Sequence, residues 1–237
     1  MSGKYLHMDI SEYLLTKIKR GTYHSGDKLP SENMLCQQFQ TNHGIVRRAI
    51  KRLVDMGQVV SWQGKGSFVT SQPNPVAYEL APDTGFSHNL SRQGVSYKSR
   101  LCRWAKRLPS CEEAGKLSIS PDSYVYDLQI LRFIQDRPAS LSNSIINAVL
   151  TPRLPDYLAD FSSLYRILER YFHFTPVRRQ STIQALIPGK AEAELLQLPE
   201  DVPVVRIESL SYCPDGSPVE ITRSKTRSDL CRYIVRF

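Results

Sequence analysis

The stretch "RRAIKRLVDMGQVVSWQGKGSFV", residues 47–69, joins a basic helix to two short apolar segments around a glycine-rich turn. Its first part continues a helix that Asn42 can cap and Gly57 can end. The apolar arc of that helix is Val46, Ala49, Ile50, Leu53 and Val54, and the opposite arc is predicted to carry Arg47, Arg48, Lys51 and Arg52. The segments "QVVSW" and "SFVT" then flank "QGKG", a pattern typical of a β-hairpin whose glycines adopt positive φ.

The turn Gly64-Lys65-Gly66 could bind either of two kinds of phosphate. A nucleotide-binding loop of the form G-x-x-x-x-G-K-[ST] follows a strand and leads into the N-terminus of a helix. Here a strand follows the glycines instead. The turn therefore fits the tip of a β-hairpin wing, where a lysine and bare backbone can approach DNA. A turn with no role beyond reversing the chain is the alternative.

Two further helices are predicted before this stretch. Apolar residues recur at a spacing of four between Asp9 and Arg20, and Ser31 can cap a short helix in "SENMLCQQF". Three helices followed by a hairpin are typical of a winged helix-turn-helix, and the third helix opens with the small or polar residues Asn42, His43 and Gly44. Such an opening suits a recognition helix that enters the major groove N-terminus first, whereas a solvated helix face is the alternative.

The distribution of charge agrees with a nucleic-acid partner. The chain of 237 residues has 31 Lys and Arg against 23 Asp and Glu, a net charge of +8. Residues 1–72 hold ten basic and five acidic side chains, and residues 73–237 hold 21 and 18, so the net charges are +5 and +3. Most of the excess therefore lies in the smaller segment, which favours double-stranded DNA as partner over a membrane surface.

The remaining composition excludes several classes of protein. The five cysteines form no Cys-x-x-Cys pair and have no His-rich neighbour, so no metal and no other cofactor is predicted. The N-terminus shows no apolar leader and no run reaches membrane-spanning length, so a cytoplasmic location is expected. No Gly-x-Ser-x-Gly elbow or nucleophile with a nearby base is evident, so the protein is not expected to be an enzyme.

A domain boundary is predicted at "SQPNP", residues 71–75, because two prolines interrupt any periodicity there. We therefore expect a DNA-binding domain over 1–72, a linker over 73–77 and a second domain over 78–237. In the second domain, alternating segments meet at Asp136-Arg137-Pro138 and at Pro214-Asp215-Gly216, and helices are predicted at 86–93, at "LYRILERYF" and at 190–198. "RYIVRF" is predicted as a last strand. Helices among antiparallel hairpins indicate an α+β fold.

The N-terminal segments "GDKLPSE", "VRRAIKRLVDMG" and "GKGSFV" resemble the winged helix-turn-helix of the GntR family of bacterial transcription regulators. The match covers about residues 5–70. By this resemblance, the second helix, the recognition helix and the wing contact DNA, through Ser31, Asn33, Asn42, His43, Gly44, Arg47, Arg48, Gln63, Gly64, Lys65 and Gly66.

Several positions depart from the family pattern. Asn33 stands where arginine is common, Met34 breaks the usual capping box from Ser31, and His43 and Ile45 replace an arginine and a threonine. These departures argue against the ordinary operator sequence. Loss of a phosphate contact at His43 predicts weaker binding.

The second domain is similar to the UTRA effector domain of the HutC branch of that family, whose fold resembles chorismate lyase. The similarity lies in "FSHNLSRQG", "LRFIQDRP", "SSLYRIL" and "GSPVEITRSKTRSD", and the first and last also resemble regulators of phosphonate utilisation. The resemblance implies a phosphonate or related phosphorylated effector and these candidate contacts: Phe86, Ser87, Arg132, Ser142, Ser163, Tyr165, Glu220, Thr222 and Arg227. An arginine expected two residues before Arg132 is Ile130, and Ser142 stands where a carboxylate is frequent. Both changes argue against a sugar phosphate bound in the most common manner.

Each candidate has a physical role and a simpler alternative. Ser87 and Ser163 near helix starts offer hydroxyl and amide donors, Arg132 offers a guanidinium, and Glu220 can receive an amine or hydroxyl. Alternatively, Ser163 only caps its helix, Arg132 pairs with an acidic residue across the sheet, at 127 or 208, and Glu220 is a surface residue.

The hypothesis that follows is a homodimeric repressor released from, or recruited to, its operator by a small anionic effector. A HutC-type regulator that responds to a sugar phosphate, or to an imidazole or carboxylic acid, is the first alternative. A lyase-like enzyme fused to a DNA-binding module, and a nucleic-acid-binding protein without an effector, are the others.

Overall fold

The computed structural model describes residues 6–70, 75–83 and 85–236. By its internal contacts the chain divides into two compact units, residues 1–74 and 75–237. The predicted linker at residues 73–77 lies partly outside the described residues. Its last part does not: Val76 and Ala77 already belong to the first strand of the second unit, Val76–Glu79.

Over its described residues, 6–70, the first unit contains three helices and a two-stranded antiparallel hairpin, as predicted. The elements are α1 (Leu6–Lys19), α2 (Glu32–Phe39), α3 (His43–Asp55), β1 (Val59–Trp62) and β2 (Gly66–Val69). The caps are those that the sequence indicates, because Ser31 Oγ accepts from the Met34 amide at 3.3 Å and Asn42 Oδ1 accepts from the Ile45 amide at 3.1 Å. One apolar core, which includes Leu14, Leu35 and Leu53, holds the helices and hairpin together.

The predicted position of Arg52 on the exposed basic arc of α3 is wrong. Its side chain is only 9% exposed. Arg52 Nη1 donates to Ser11 Oγ at 3.1 Å and to Glu12 Oε1 at 3.0 Å, both on α1. The residue lies at the edge of the apolar arc, where a long side chain can reach the neighbouring helix. Arg52 therefore fastens α1 to α3, and it is not available to DNA.

The second unit is built on a six-stranded antiparallel sheet with strand order β4-β5-β6-β9-β8-β7. A small parallel pair, β3 with β10, lies outside it. The strands are β3 (Val76–Glu79), β4 (Tyr97–Arg107), β5 (Val125–Ile134), β6 (Arg137–Asn147), β7 (Val177–Leu186), β8 (Val204–Tyr212), β9 (Pro218–Arg227) and β10 (Cys231–Ile234). The helices are α4 (Phe86–Arg92), α5 (Cys111–Leu117), α6 (Leu164–Phe172), α7 (Lys190–Leu196) and a 3-10 turn at Leu154–Tyr157.

The predicted helices and central hairpins are present, with small shifts. The β5–β6 turn lies at Gln135 and Asp136, both at positive φ, and not at residues 136–138, because Arg137 and Pro138 already pair with β5. The α+β prediction is therefore confirmed. The two edge strands β4 and β7 were missed, because their side chains are polar and largely exposed and show no apolar alternation.

Alternate residues of the sheet face two different layers. On one face, Leu128, Ile130 and Ile146 pack against the 3-10 turn and α6. On the other face, Leu131 and Leu141 pack against α7, whereas a separate cluster joins the sheet to α5. Because successive strand residues point to opposite faces, a site built on the sheet recruits residues at a spacing of two.

Candidate nucleic-acid interface and effector cavity

The DNA-binding candidates of the first unit lie at the starts of α2 and α3 and on the hairpin. Glu32 on α2 brings the two helix starts together. Arg47 Nε donates to Glu32 Oε2 at 2.9 Å, and His43 Nδ1 lies 3.4 Å from the same oxygen. All three side chains are at least 40% exposed. An exposed pair of this kind stabilises the fold by about 0–1 kcal/mol, so DNA phosphates can replace Glu32 as partners of Arg47.

The exposed basic surface of α3 is narrower than the sequence indicates. Gly44, Arg47 and Arg48 are exposed. Lys51 is exposed too, but its Nζ donates to both carboxylate oxygens of Asp55, at 3.0 and 2.9 Å. The candidates Ser31 and Asn33, at the start of α2, and Asn42, the cap of α3, are also exposed.

The hairpin has the geometry that a wing needs. Gly64 and Gly66 adopt φ of 74° and 105°, the region that favours glycine. Gln63, which precedes Gly64, and Lys65, which lies between the two glycines, are both exposed. Lys28, from the segment before α2, pairs with Phe68 on β2, which connects this segment to the hairpin.

The second unit contains a cavity of about 450 Å³. Helix α4, the start of α6 and one face of the sheet form its walls. Seven of the nine predicted effector contacts line it, namely Phe86, Ser87, Arg132, Ser163, Tyr165, Glu220 and Thr222. The volume falls within the range of about 300–1,000 Å³ typical of small-molecule sites.

Arg132 is the half-buried guanidinium of this cavity. Its Nη1 donates to Ser142 Oγ, and its guanidinium carbon lies 5.6 Å from the centre of the Phe86 ring. Burial lowers the pKa of Arg132, and the nearby Glu220 carboxylate acts in the opposite direction. Within the described part of the chain, no carboxylate lies within 4.0 Å of it. The charge of Arg132 is therefore held in the wall without a direct counter-ion.

The alternative in which Arg132 pairs across the sheet does not occur. Asp127 accepts from Arg107 Nε at 3.0 Å, and Glu208 binds Arg206 and Arg223 at 2.9 and 3.1 Å. The alternation of β5 explains this, because Asp127 lies on the opposite face from Arg132. Each carboxylate instead belongs to an ion-pair network on the face that carries α5 and α7.

A second polar group of the cavity joins Glu220 to Tyr165. The Tyr165 hydroxyl donates to Glu220 Oε2 at 2.8 Å and lies 3.5 Å from Ser211 Oγ. Burial, and then the Glu220 carboxylate, raise the pKa of Tyr165 well above its usual value. Glu220 itself is 1% exposed, so it is not a surface residue. Tyr165 therefore stays a neutral donor that orients a buried carboxylate.

Hydroxyl groups cover the sheet between these two groups. Ser140 bonds Thr226 at 2.8 Å, and Ser209 bonds Ser181 at 2.8 Å. The serines and threonines of the sheet that line the cavity and were not among the predicted contacts are Ser99, Ser140, Ser209, Ser224 and Thr226. Their signal in the sequence is a spacing of two on β6, β8 and β9, where Ser or Thr recurs on one face.

Two predicted contacts lie outside the cavity lining. Ser142 is fully buried and reaches the site only through Arg132. Arg227 donates to both carboxylate oxygens of Asp229, at 3.0 and 2.7 Å, and to the Leu196 carbonyl at 2.9 Å. Since Thr226 faces the cavity, Arg227 must point to the opposite face, where it ties β9 to the end of α7. Ser163, in contrast, both caps α6 and lines the cavity.

Helix α4 is fastened to β3 by two side-chain amides. Asn89 Oδ1 accepts from the Glu79 amide at 2.7 Å, and Asn89 Nδ2 donates to the Glu79 carbonyl at 3.1 Å. In the same way, Gln93 Oε1 accepts from the Ala77 amide at 3.2 Å, and Gln93 Nε2 donates to the Ala77 carbonyl at 2.6 Å. The spacing of about 6 Å between helix positions i and i+4 matches that of alternate strand residues. This wall of the cavity and the first strand of the second unit are thus hydrogen-bonded directly.

Comparisons with known proteins agree with both units. The family profile of bacterial regulatory proteins, gntR family, matches residues 6–69, and that of the UTRA domain matches residues 92–232, more than half of the chain. The chain belongs to the GntR family, with a UTRA domain. This GntR–UTRA regulator therefore has the HutC-type architecture that the sequence motifs imply.

Relatives resemble the GntR–UTRA regulator over nearly its whole length. It is 30% identical over 216 residues to the "Probable transcriptional regulator PhnF" of Escherichia coli (strain K12), covering 90% of this chain and 88% of that one. It is 28% identical over 230 residues to the "Probable fructoselysine utilization operon transcriptional repressor" of Shigella flexneri, covering 96% and 93%. The crystal structure of PhnF from Mycobacterium smegmatis superimposes with a TM-score of 0.66 at 22% identity, covering 98% of both chains, and so shows the same fold.

The GntR–UTRA regulator shows no helix, within the described residues, that is long and apolar enough to cross a membrane.

Proposed function

We propose that this GntR–UTRA regulator is a homodimeric repressor in the cytoplasm, and that a small anionic effector bound at Arg132 controls its affinity for operator DNA. A phosphonate or a related phosphorylated metabolite is the favoured effector. The observation that carries the proposal is the Arg132 guanidinium, which lines the cavity without a direct carboxylate partner among the described residues.

The chemistry of the guanidinium supports an oxyanion. Arginine has five N–H donors in a fixed fork, and oxyanions such as phosphonate and carboxylate accept two of them in parallel. Ser142 takes one donor of Arg132, and the Phe86 ring covers one side of the group. The Ser87 and Ser163 hydroxyls line the same cavity and can donate to further oxygens of the ligand.

The position of Glu220 supports a ligand with a cationic or hydroxylated end. Ser142, which accepts a hydrogen bond from Arg132, lies opposite Ser224 on β9. Glu220 precedes Ser224 by four residues on the same strand, so the backbone positions of Glu220 and Ser224 are about 13 Å apart at 3.3 Å per residue. An aminoalkylphosphonate carries an oxyanion and an ammonium at opposite ends and matches this arrangement of charges.

The hydroxyl rows favour a second candidate, a sugar-containing effector that also carries an acidic group. Ser209, Thr222 and Ser224 present hydroxyls between the two charged groups. Relatives named for fructoselysine utilization and for mannosyl-D-glycerate transport and metabolism support this candidate.

Coupling to DNA requires that the effector prefer one arrangement of the protein over the other. The bonds from Asn89 and Gln93 to β3 support a route, because α4 forms a cavity wall and β3 is the first described strand after residues 71–74. An effector that moves or orders α4 acts on this strand directly.

Thermal-shift measurements on the full chain test the proposal. Inorganic phosphate, 2-aminoethylphosphonate and a sugar phosphate are the probes, and a ligand at 100 times its Kd stabilises the native state by about 2.7 kcal/mol. We expect one phosphorus oxyanion to raise the midpoint and to change the anisotropy-measured affinity for duplex DNA, and Arg132→Met to abolish both effects. Arg103→Met removes an exposed charge from β4 and is the matched control.

Two results would contradict parts of this proposal. Equal binding by Arg132→Met and the unaltered protein would reject Arg132 as the anion contact. A solution mass equal to one 27.0 kDa chain, and not twice that value, would reject the homodimer.

A further inference from the structure

We propose that Lys28, which precedes α2, is a further contact to the DNA backbone, and that Gly66 and Phe68 of the wing hold it in place. The inference rests on the DNA binding of the proposed function and adds a residue to it. The family resemblance assigned the basic contacts to α3 and to the wing tip, whereas Lys28 comes from a separate segment of the chain.

The backbone of Lys28 belongs to the wing sheet. Lys28 forms an antiparallel bridge with Phe68, and its neighbours complete the pairing: the Leu29 amide donates to the Ser67 carbonyl at 2.8 Å, and the Val69 amide donates to the Asp27 carbonyl at 2.9 Å. Residues opposite each other on adjacent strands share a face. The Lys28 and Phe68 side chains therefore lie on the same side of the hairpin.

The side chain of Lys28 crosses the bare backbone of Gly66. A Cβ atom built on Gly66 would lie 2.8 Å from Lys28 Cε and 3.6 Å from its Nζ. The first distance is too short for a real contact, so a side chain at residue 66 would displace the end of the lysine from its present position. Lys28 Nζ also lies 5.9 Å from the centre of the Phe68 ring, within the range of a cation–π interaction.

An aromatic pair supports this arrangement. The Trp62 and Phe68 rings are 4.9 Å apart, and Trp62 remains 52% exposed. Packing on Phe68 and on the Gly66 backbone restricts the lysine stem before any ligand binds. Less side-chain entropy is then lost when the ammonium meets a phosphate.

The charge of Lys28 is available. The residue is exposed, and across residues 6–70, 75–83 and 85–236 no carboxylate lies within 4.0 Å of its Nζ. Its nearest acidic neighbour in sequence, Asp27, accepts from the His24 amide at 2.7 Å. Gly66 directly follows Lys65, so two ammonium groups belong to the wing region. A lysine ammonium binds phosphate as a point charge and carries no base preference.

The test compares Lys28→Met with Lys19→Met. Methionine keeps an unbranched stem over Gly66 without the charge, and Lys19 is an exposed lysine on α1 whose loss changes the net charge equally. The probe is a short duplex that the unaltered full-length protein has enriched from a random library, titrated by fluorescence anisotropy at about 50–200 mM salt. Circular dichroism melts check that each variant folds.

Each phosphate contact contributes about 0.9 to the slope of log K against log salt. We expect Lys28→Met to reduce the slope by about 0.9 and to weaken binding about 8-fold at 0.1 M salt, for all duplex sequences alike. Lys28→Arg should retain both values, and Lys19→Met should match the unaltered protein.

A Lys28→Met slope and affinity equal to those of the unaltered protein would overturn the proposal and leave the DNA-binding function intact. Failure of the unaltered protein to bind any duplex would reject the proposed function itself, and with it the role of Lys28. If Lys28→Met lowered the affinity only for duplexes with one particular base pair, the proposal would also be contradicted, because backbone contacts contribute equally to all duplex sequences.

Discussion

Replacement of Arg52 by alanine should destabilise the first unit without removing a DNA contact. Arg52 and Arg48 lie four residues apart on α3, yet the structure gives them opposite roles. Arg48 is exposed, whereas Arg52 is buried and donates to Ser11 and Glu12 on α1.

The size of this destabilisation follows from the hydrogen bonds of Arg52 to Ser11 and Glu12. A hydrogen bond to a charged group contributes about 1.5–3 kcal/mol, and the buried Ser11 hydroxyl justifies that range for its bond. Glu12 is 55% exposed, so its pair with Arg52 contributes only about 0–1 kcal/mol. With the lost packing of the arginine stem, we expect Arg52→Ala to lower the free energy of unfolding by about 2–3 kcal/mol.

Tryptophan fluorescence can follow this unit alone. The chain has two tryptophans, Trp62 in the first unit and Trp104 in the second, so a Trp104→Phe background leaves one reporter. Urea unfolding of a small unit has a slope of about 1 kcal/mol per M, and the midpoint should therefore fall by about 2–3 M. Arg48→Ala is the control, with an unchanged midpoint and weaker DNA binding.

If Arg52→Ala kept the urea midpoint while losing as much DNA affinity as Arg48→Ala, Arg52 would belong to the DNA surface after all.

Two further predictions concern the second unit. Asn89→Asp removes the donor to the Glu79 carbonyl and places a carboxylate beside it, so mass-detected hydrogen exchange of residues 75–80 should accelerate at least several-fold, while exchange in the β5–β6 hairpin stays unchanged. Two hydrogen bonds from Arg107 lower the pKa of Glu113 from its usual 4.5 to about 2. The lowered pKa stabilises the fold above about pH 4.5, and this contribution is lost as the pH falls towards 2. Glu113→Gln should therefore weaken the dependence of the free energy of unfolding on pH between about 2 and 4.5. An unchanged pH dependence would contradict the assignment.

The local signals in the sequence located most of the elements. Ser31 and Asn42 cap the helices that they were predicted to cap, and the hairpin at Gly64 turns where the glycines indicate. These features depend on bonds within a few residues, which sequence spacing reports directly. The edge strands β4 and β7 lacked such a signal, because an exposed strand paired on one side needs no apolar pattern.

The candidate cavity was predicted in outline only. Arg132, Tyr165 and Glu220 were named by family resemblance, and the structure places all three around one cavity. The hydroxyl rows were missed, because serines and threonines on three distant segments become one surface only after the strands align.

Local sequence features account for the two-part organisation, the helix caps, the wing turn and the excess of positive charge in the first unit, since each depends on residues close together in the chain. The availability of each arginine depends on the folded chain. Arg52 and Arg227 form hydrogen bonds inside the fold. Arg48 and Arg132 are not paired with any carboxylate among the described residues. An arginine side chain is long enough to serve either purpose, and the choice depends on partners that are distant in sequence and near in space.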